Sequence, residues 1–379
     1  MRPLATLVTG ALLSYPRAMR TVRISALFLL MACGSGEPSQ IRIVDRDANG
    51  NAALVDVPRG GLESFDTLRS PTVEMYRSAV FDFSGGILDR GLLRDRIVTD
   101  EELAAARIRV AEDVAIATDL DSLGMLSLFV YSERTMSALD ESEMPIPAPQ
   151  VVYYNPVVDS DSLPSENNAA FSPGLDAFFS LPFLIDEGVP TSMSEGVVAH
   201  ELGHRVFYYY GFGARQVEAL INTANVPNLE LPQNRILAVN EGVADFLAAS
   251  LTRDTNPIAL SFPSVADGRD LLTAREFPVD WLFGDNPRVN NRYDPYAVGV
   301  IFAGTLWLMA EQFGHLTVRR AVRDGLLALQ ERLLRFEFQF GDLMREVIEA
   351  LPELNRPDAC AIAADRYATA FGPVAAACP

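Results

Sequence analysis

The chain contains no lysine: all 31 of its basic residues are arginine, against 50 acidic residues, for a net charge of −19. The arginines form no stripe or cluster, so the missing lysine reads as a bias of genome composition rather than of function. A surface this acidic excludes nucleic acid as a partner and would be repelled by an anionic bilayer. There is no G-x-S-x-G element, which removes the usual serine nucleophile of hydrolases. There are no internal repeats. Histidine and cysteine are scarce, at three residues each.

Two of the three histidines fall in Ala199-His200-Glu201-Leu202-Gly203-His204, an H-E-x-x-H run. Four residues along a helix advance about 400° and roughly 6 Å, so His200 and His204 share one face and can grip one ion, with Glu201 beside it as a base. A catalytic zinc takes three protein ligands and keeps a fourth position open. Glu241 is the best third ligand, because it lies in the apolar helical run Ile236 to Leu251, where a bare carboxylate is costly without a cation. Asp245, one turn later, can face the same site and accept the second ring N–H of a zinc-bound histidine.

These segments resemble the gluzincin metallopeptidases, thermolysin and its relatives, with the closest local similarity to the fungalysins. The matched segments cover about half of the chain. The resemblance implies that His200, His204 and Glu241 bind Zn2+, that Glu201 activates water, and that Asn240-Glu241-Gly242-Val243-Ala244-Asp245 is the element completing the site. The fold it implies is α+β, a zincin-like two-subdomain metallopeptidase. Its N-terminal α/β part would end in the active-site helix, and substrate would lie between that part and a mainly helical C-terminal part. Asn168-Ala169-Ala170-Phe171 looks like the family's N-A-F edge strand, which pairs with substrate through its backbone while Asn168 holds a substrate amide. Tyr296-Ala297-Val298-Gly299 resembles a stretch in which the family has a histidine that steadies the oxyanion. Here Tyr296 stands in its place. A phenol stays protonated at neutral pH and can donate to a developing oxyanion. Arg292 and Tyr293 are other donors from the same loop. His315 lacks the motif context and reads as a helix-terminal or surface histidine.

The function implied is a zinc-dependent endopeptidase that hydrolyses peptide bonds by Glu-assisted attack of zinc-bound water. The alternative is a zincin-fold surface lipoprotein that is catalytically weak or inactive and acts as a binding protein. Tyr296 supports that alternative. Glu201 speaks against it, because a non-ligand carboxylate has no reason to persist beside the metal in a mere binder. An aminopeptidase would need an acidic anchor for the substrate's free amine, and no such motif stands out.

Arg20 and Arg23 precede the apolar run Ile24 to Ala32, too short to span a bilayer and right for a signal-peptide core. It closes in Leu30-Met31-Ala32-Cys33-Gly34-Ser35, which resembles a bacterial lipoprotein signal with Cys33 as the lipidated residue. Met19 is the expected start. The protein is thus expected to be exported and lipid-anchored to the cell envelope, at the outer membrane or cell surface. The two remaining cysteines, Cys360 and Cys378, are expected to pair in a disulfide, as leftover cysteines of exported proteins do.

The expected organisation is a signal peptide with lipobox over 1–33, a tether and small β segment over 34–64, an N-terminal α/β subdomain over 65–210, and a helical C-terminal subdomain over 211–379. Ile41 to Val57 predicts a hairpin around Asn49-Gly50. Asp45, Asp47, Asn49, Asn51 and Asp56 resemble a calcium loop in spacing, although no helix enters it, and Asp159 with Asp161 is a weaker candidate for Ca2+. Thr99-Asp100-Glu101-Glu102 predicts a capped helix through Ala117. Leu126 to Tyr131 and Val151 to Tyr154 predict strands, joined by a proline-rich connection from Met144 to Pro149. Phe178 to Ile185, broken by Pro182, predicts an edge strand or irregular segment near the cleft. Residues 211–233, rich in Asn and Pro, predict a loop insertion. Ala297 to Phe313, Val318 to Leu334 and Asp342 to Leu351 predict helices. The stretch between Cys33 and Asn168 reads as part of the folded enzyme rather than a removable propeptide.

Overall fold

The structure, a computed structural model, describes residues 37–47, 49–82, 102–159, 166–184, 188–215, 232–273, 288–289, 292–339, 341–367 and 378. The signal segment with Cys33, Thr99 to Glu101, Asp161 and most of the 211–233 insertion lie outside them.

The N-terminal half is built on two sheets. Strands β1 (Gln40–Arg46) and β2 (Ala52–Pro58) form the expected hairpin, paired in register from Gln40 opposite Pro58 to Arg46 opposite Ala52. Next along the chain come β3 (Val73–Arg77), β4 (Val80–Asp82), β5 (Glu102–Leu103), β6 (Ile108–Ala111) and β7 (Val114–Ala117). The first sheet has the order β2-β1-β7-β6.

Residues 102–117 therefore hold the three short strands β5, β6 and β7 and not the predicted helix. Glu112 and Asp113 both have positive φ (52° and 67°), the sense that a two-residue hairpin turn demands, and they join β6 to β7. That turn, together with the β-branched Ile108, Val110, Val114 and Ile116, overrides the local capping signal.

The converse correction applies to Leu126 to Tyr131, which is the middle of helix α1 (Leu120–Glu141). Asp119 caps this helix by accepting from Ser122 N–H at 2.7 Å. A short continuous apolar run cannot distinguish a strand from a helix buried on most sides, and here Leu126, Leu128, Phe129, Val130 and Tyr131 are all buried. The Tyr131 hydroxyl donates to the Val44 carbonyl, and Val44 N–H donates to Ser127 Oγ, so α1 is stitched to β1.

Strands β8 (Gln150–Tyr154), β9 (Val157–Asp159), β10 (Ala169–Ser172) and β11 (Ala177–Ser180) complete the second sheet, of order β10-β11-β8-β3-β5, and a small parallel pair of β4 with β9. In β8 the side chains alternate between two apolar layers: Val152 and Tyr154 enter the main core, while Tyr153 joins Phe81 and Phe179 in a second aromatic cluster. Residues 177–180 thus form an interior strand, not an edge. Pro182 falls after the strand has ended, so its missing N–H stops the pairing without displacing the strand outward. The edge is β10.

The C-terminal half is helical. After α2 (Glu195–Val206) come α3 (Pro232–Thr252), α4 (Pro263–Arg269), α5 (Pro295–Phe313), α6 (His315–Leu334), α7 (Asp342–Ala350) and α8 (Arg356–Tyr367). Helix α5 is long and apolar enough in composition to cross a bilayer, but most of it is buried inside the fold against α3 and α6. Gly242 and Gly299 let α3 and α5 touch backbone to backbone: a Cβ on Gly242 would stand 2.5 Å from the Gly299 carbonyl oxygen. Cys360 in α8 is joined to Cys378 by a disulfide, with Cα atoms 5.6 Å apart. One apolar core runs from both sheets through α1 and α2 into these helices. The fold is mixed α+β, with its sheets N-terminal and a mostly helical C-terminal part.

Candidate metal centre

Helix α2 carries His200, Glu201 and His204, with ligand atoms within 4.8 Å of one another. His200 and Glu201 are buried, and His204 is partly so. The Nε2 atoms of His200 and His204 lie 3.1 Å apart. Helix α3 crosses α2 and brings in Glu241, whose Oε2 stands 3.4 Å from His200 Nε2 and 3.6 Å from His204 Nε2. These three atoms form a nearly equilateral triangle. Two donors each about 2.0–2.1 Å from a tetrahedral zinc stand roughly 3.4 Å apart, so the triangle fits one such ion. Glu241 Oε2 is also buried and accepts no hydrogen bond among the described residues, the orphaned state of an atom whose natural partner is a cation.

The two carboxylates at the centre are distinguished by their surroundings. Glu201 Oε2 accepts from the backbone N–H of Phe171 on β10 at 2.9 Å, which ties this carboxylate to the edge strand beside the triangle. Among the described residues, Glu241 Oε2 has no such tether. The carbonyl of Asn168 accepts from Leu181 N–H, so the antiparallel register directs Ala170 and Ser172 inward to β11 and turns the backbone groups of Ala169 and Phe171 outward.

Behind the triangle, each imidazole is held by its second nitrogen. His200 Nδ1 lies 2.9 Å from Asp245 Oδ1, and His204 Nδ1 lies 3.2 Å from Asn240 Oδ1. Such partners fix the tautomer that leaves both Nε2 atoms facing the centre. Asp245 is in turn gripped by Arg269, at the end of α4, which uses both Nε and Nη2. Burial opposes charge on Asp245, but Arg269 and His200 hold its pKa down at about 2, so it is a carboxylate at any working pH. Burial likewise pushes His200 down, yet the neighbouring Asp245 and Glu241 outweigh it and raise the imidazole to about 9. For Glu241, burial is overcome by His204, His200 and Arg269, which keep it below the usual glutamate range. Without a metal the site thus sets the protonated His200 and Arg269 against the carboxylates of Glu241 and Asp245, and a cation bound at the triangle takes the place of the His200 Nε2 proton.

Tyr296, in the first turn of α5, stands over this arrangement. Its ring is 42 % exposed and stacks on the Arg269 guanidinium, with Cζ 4.4 Å from the ring centroid. The charge of Glu241, then desolvation, push its hydroxyl well above the usual tyrosine range, so it is a donor at neutral pH. Asp294 caps α5 by accepting from Tyr296 N–H at 3.0 Å and fixes where that tyrosine begins the helix. Arg292 and Tyr293 form a short strand before it.

His315 is elsewhere. It opens α6 as expected of a helix-terminal residue, but it is only 5 % exposed and bonds Ser250 and Glu311, so it is not a surface histidine. In the β1–β2 loop, Asp47 accepts from Asn49 and Asn51 N–H, while Asp45 pairs with Arg134 and Asp56 with Arg42, so each of the three carboxylates has a protein partner. Asp159 lies in β9. Sequence reasoning missed Arg269, and it missed the role of Asn240 against His204. The adjacency of Asn240 to Glu241 was the available signal for the second; the first had none.

No family model matches the chain, and no curated protein matches it. Among solved structures, the precursor of protealysin, a metalloproteinase from Serratia proteamaculans, is similar at 12 % sequence identity over 76 % of this chain and 84 % of that chain, with a TM-score of 0.40.

Proposed function

We propose that the chain is a zinc-dependent endopeptidase of the gluzincin type. The observation that carries this reading is the triangle of His200 Nε2, His204 Nε2 and Glu241 Oε2, with the separate carboxylate of Glu201 beside it. His200, His204 and Glu241 would hold the zinc, which when bound supplies a Lewis acid that acidifies water and polarises a carbonyl. Glu201 takes the proton from the attacking water on its carboxylate and returns it to the leaving amine. One carboxylate oxygen is held by Phe171 N–H, which leaves the other for that proton. The Tyr296 hydroxyl donates to the oxyanion of the tetrahedral species. The outward backbone groups of Ala169 and the outward carbonyl of Phe171, with the Asn168 side chain, receive an extended peptide as an added strand, while Phe171 N–H stays on Glu201.

Export and lipidation at Cys33 belong to the same reading and are supported by the arginines, the short apolar run and the cysteine that closes it. Cys33→Ala should release the protein into the soluble fraction, and continued membrane association would refute the anchor.

The test of the activity is cleavage of a quenched peptide library, with bound zinc measured in parallel and Glu201→Ala as control. Chelator-sensitive cleavage that the variant loses supports the peptidase. Stoichiometric zinc with no cleavage favours a binding protein, a reading to which the exposed tyrosine at the oxyanion position would then lend weight.

A further inference from the structure

Arg205, the residue after His204, is 1 % exposed, an unusual place for a guanidinium. It makes a two-pronged ion pair with Asp176: Nε to Oδ1 at 2.8 Å and Nη2 to Oδ2 at 2.9 Å. Asp176 Oδ2 also accepts from the Tyr209 hydroxyl at 2.6 Å, and the Arg205 guanidinium lies 5.4 Å from the Tyr209 ring centroid. Asp176 sits in the turn between β10 and β11, in the left-handed conformation (φ 50°) that Asp tolerates better than most residues.

Glu201 and Arg205 are one helical turn apart on α2 and so share the face turned toward this hairpin. Tyr208, three residues on, packs against the Phe171 ring at 5.9 Å between centroids. The hairpin is thus pinned to α2 at two points: by Asp176 in the turn, and by Phe171 N–H on Glu201.

We infer that Arg205 and Asp176, with Tyr209, are positioning residues that hold edge strand β10 at the height where Phe171 N–H orients the Glu201 carboxylate. The inference rests on the role given to Glu201 above. Its physical basis is that, among the described residues, β10 pairs on one side only, with β11, so no second strand steadies its distance from α2. A displacement of about 1 Å at a reacting group costs on the order of a hundredfold in rate.

The test uses the full mature protein with Asp176→Asn, Tyr209→Phe and the double variant Arg205→Met/Asp176→Asn. The double variant leaves no unpaired buried charge and so keeps the fold where the single change fails. Three quantities are read: zinc per chain, hydrogen exchange of the Phe171 amide in the metal-free protein, and kcat per zinc-loaded enzyme on a quenched peptide. In the double variant we expect full zinc occupancy, Phe171 exchange at least about tenfold faster, as it also is in Glu201→Ala, and kcat lower by about a hundredfold with little change in KM. A purely structural pair would lower the yield of folded protein and leave kcat per zinc unchanged. That result, or unchanged Phe171 exchange in the double variant, overturns the inference. If the wild-type protein cleaves nothing, the peptidase reading fails, while the exchange comparison still decides whether the clamp holds the strand.

Discussion

Gly203 on α2 lies directly against Ala244 on α3: a Cβ at Gly203 would stand 2.7 Å from the Ala244 Cα. This close approach sits between His204 on one helix and Glu241 on the other, so helix spacing and ligand spacing are set together. Gly203→Ala must push the helices apart against backbone, which does not yield as a flexible side chain would. The expected cost is about 1–3 kcal/mol of stability, with a loss of zinc affinity beyond what the stability change explains. Urea denaturation and competition with a chromophoric chelator measure the two; unchanged zinc affinity would show that the site tolerates the shift.

Asp245 has two partners that nothing else replaces. Its removal frees His200 Nδ1 and leaves Arg269, now a buried cation, without a carboxylate. Asp245→Ala should weaken zinc binding by about 10- to 100-fold while leaving all three ligands in place. Asp245→Asn, which keeps an acceptor for the imidazole, should recover part of that loss. Equal zinc affinity in wild type and alanine variant would reject the orienting role.

Tyr296→Phe removes only the hydroxyl and retains the ring that stacks on Arg269. If that hydroxyl steadies the oxyanion, kcat should fall on the order of a hundredfold with KM nearly unchanged and zinc stoichiometric. Steady-state kinetics on the best library peptide separates this from a binding role, in which KM would rise and kcat would hold.

The parts of the site legible in the sequence are those that one helix brings together by its own period. His200, Glu201 and His204 share a face of α2, and Glu241 and Asp245 lie one turn apart on α3, so helical spacing points to them. Arg269 and the Arg205–Asp176 pair were illegible because they depend on where α4 and the β10–β11 turn dock, and tertiary contacts leave no local period. The same limit explains the two misread elements. An apolar run such as Leu126 to Tyr131 satisfies either period when nearly every side is buried, and residues 102–117 were decided by the two-residue turn at Glu112-Asp113. Helices α6 and α7 were legible because each keeps an apolar stripe at helical spacing, and α5 because its apolar run is far longer than a strand.

The remaining histidine makes a prediction about acid stability. His315 is wedged between Ser250 on α3, Glu311 on α5 and the ring of Trp307. In the neutral imidazole the ring proton sits on Nε2 facing the Glu311 carboxylate, and Nδ1 accepts from the Ser250 hydroxyl, whose oxygen also accepts from Arg319. Burial pushes the His315 pKa down, and the charges of Arg253 and Arg319 add to that, against the pull of Glu311. A histidine with a folded pKa below its unfolded value of about 6.5 favours the folded state while neutral. The unfolded chain takes up the proton first as pH falls, so stability declines from about pH 6.5 down to the folded pKa and then levels off. His315→Gln keeps a hydrogen-bonding side chain without the titration. Its melting temperature should therefore fall less than that of the wild type between pH 7.5 and 5.5, whatever its absolute value. Parallel losses in the two proteins over that interval would place the acid sensitivity at another group.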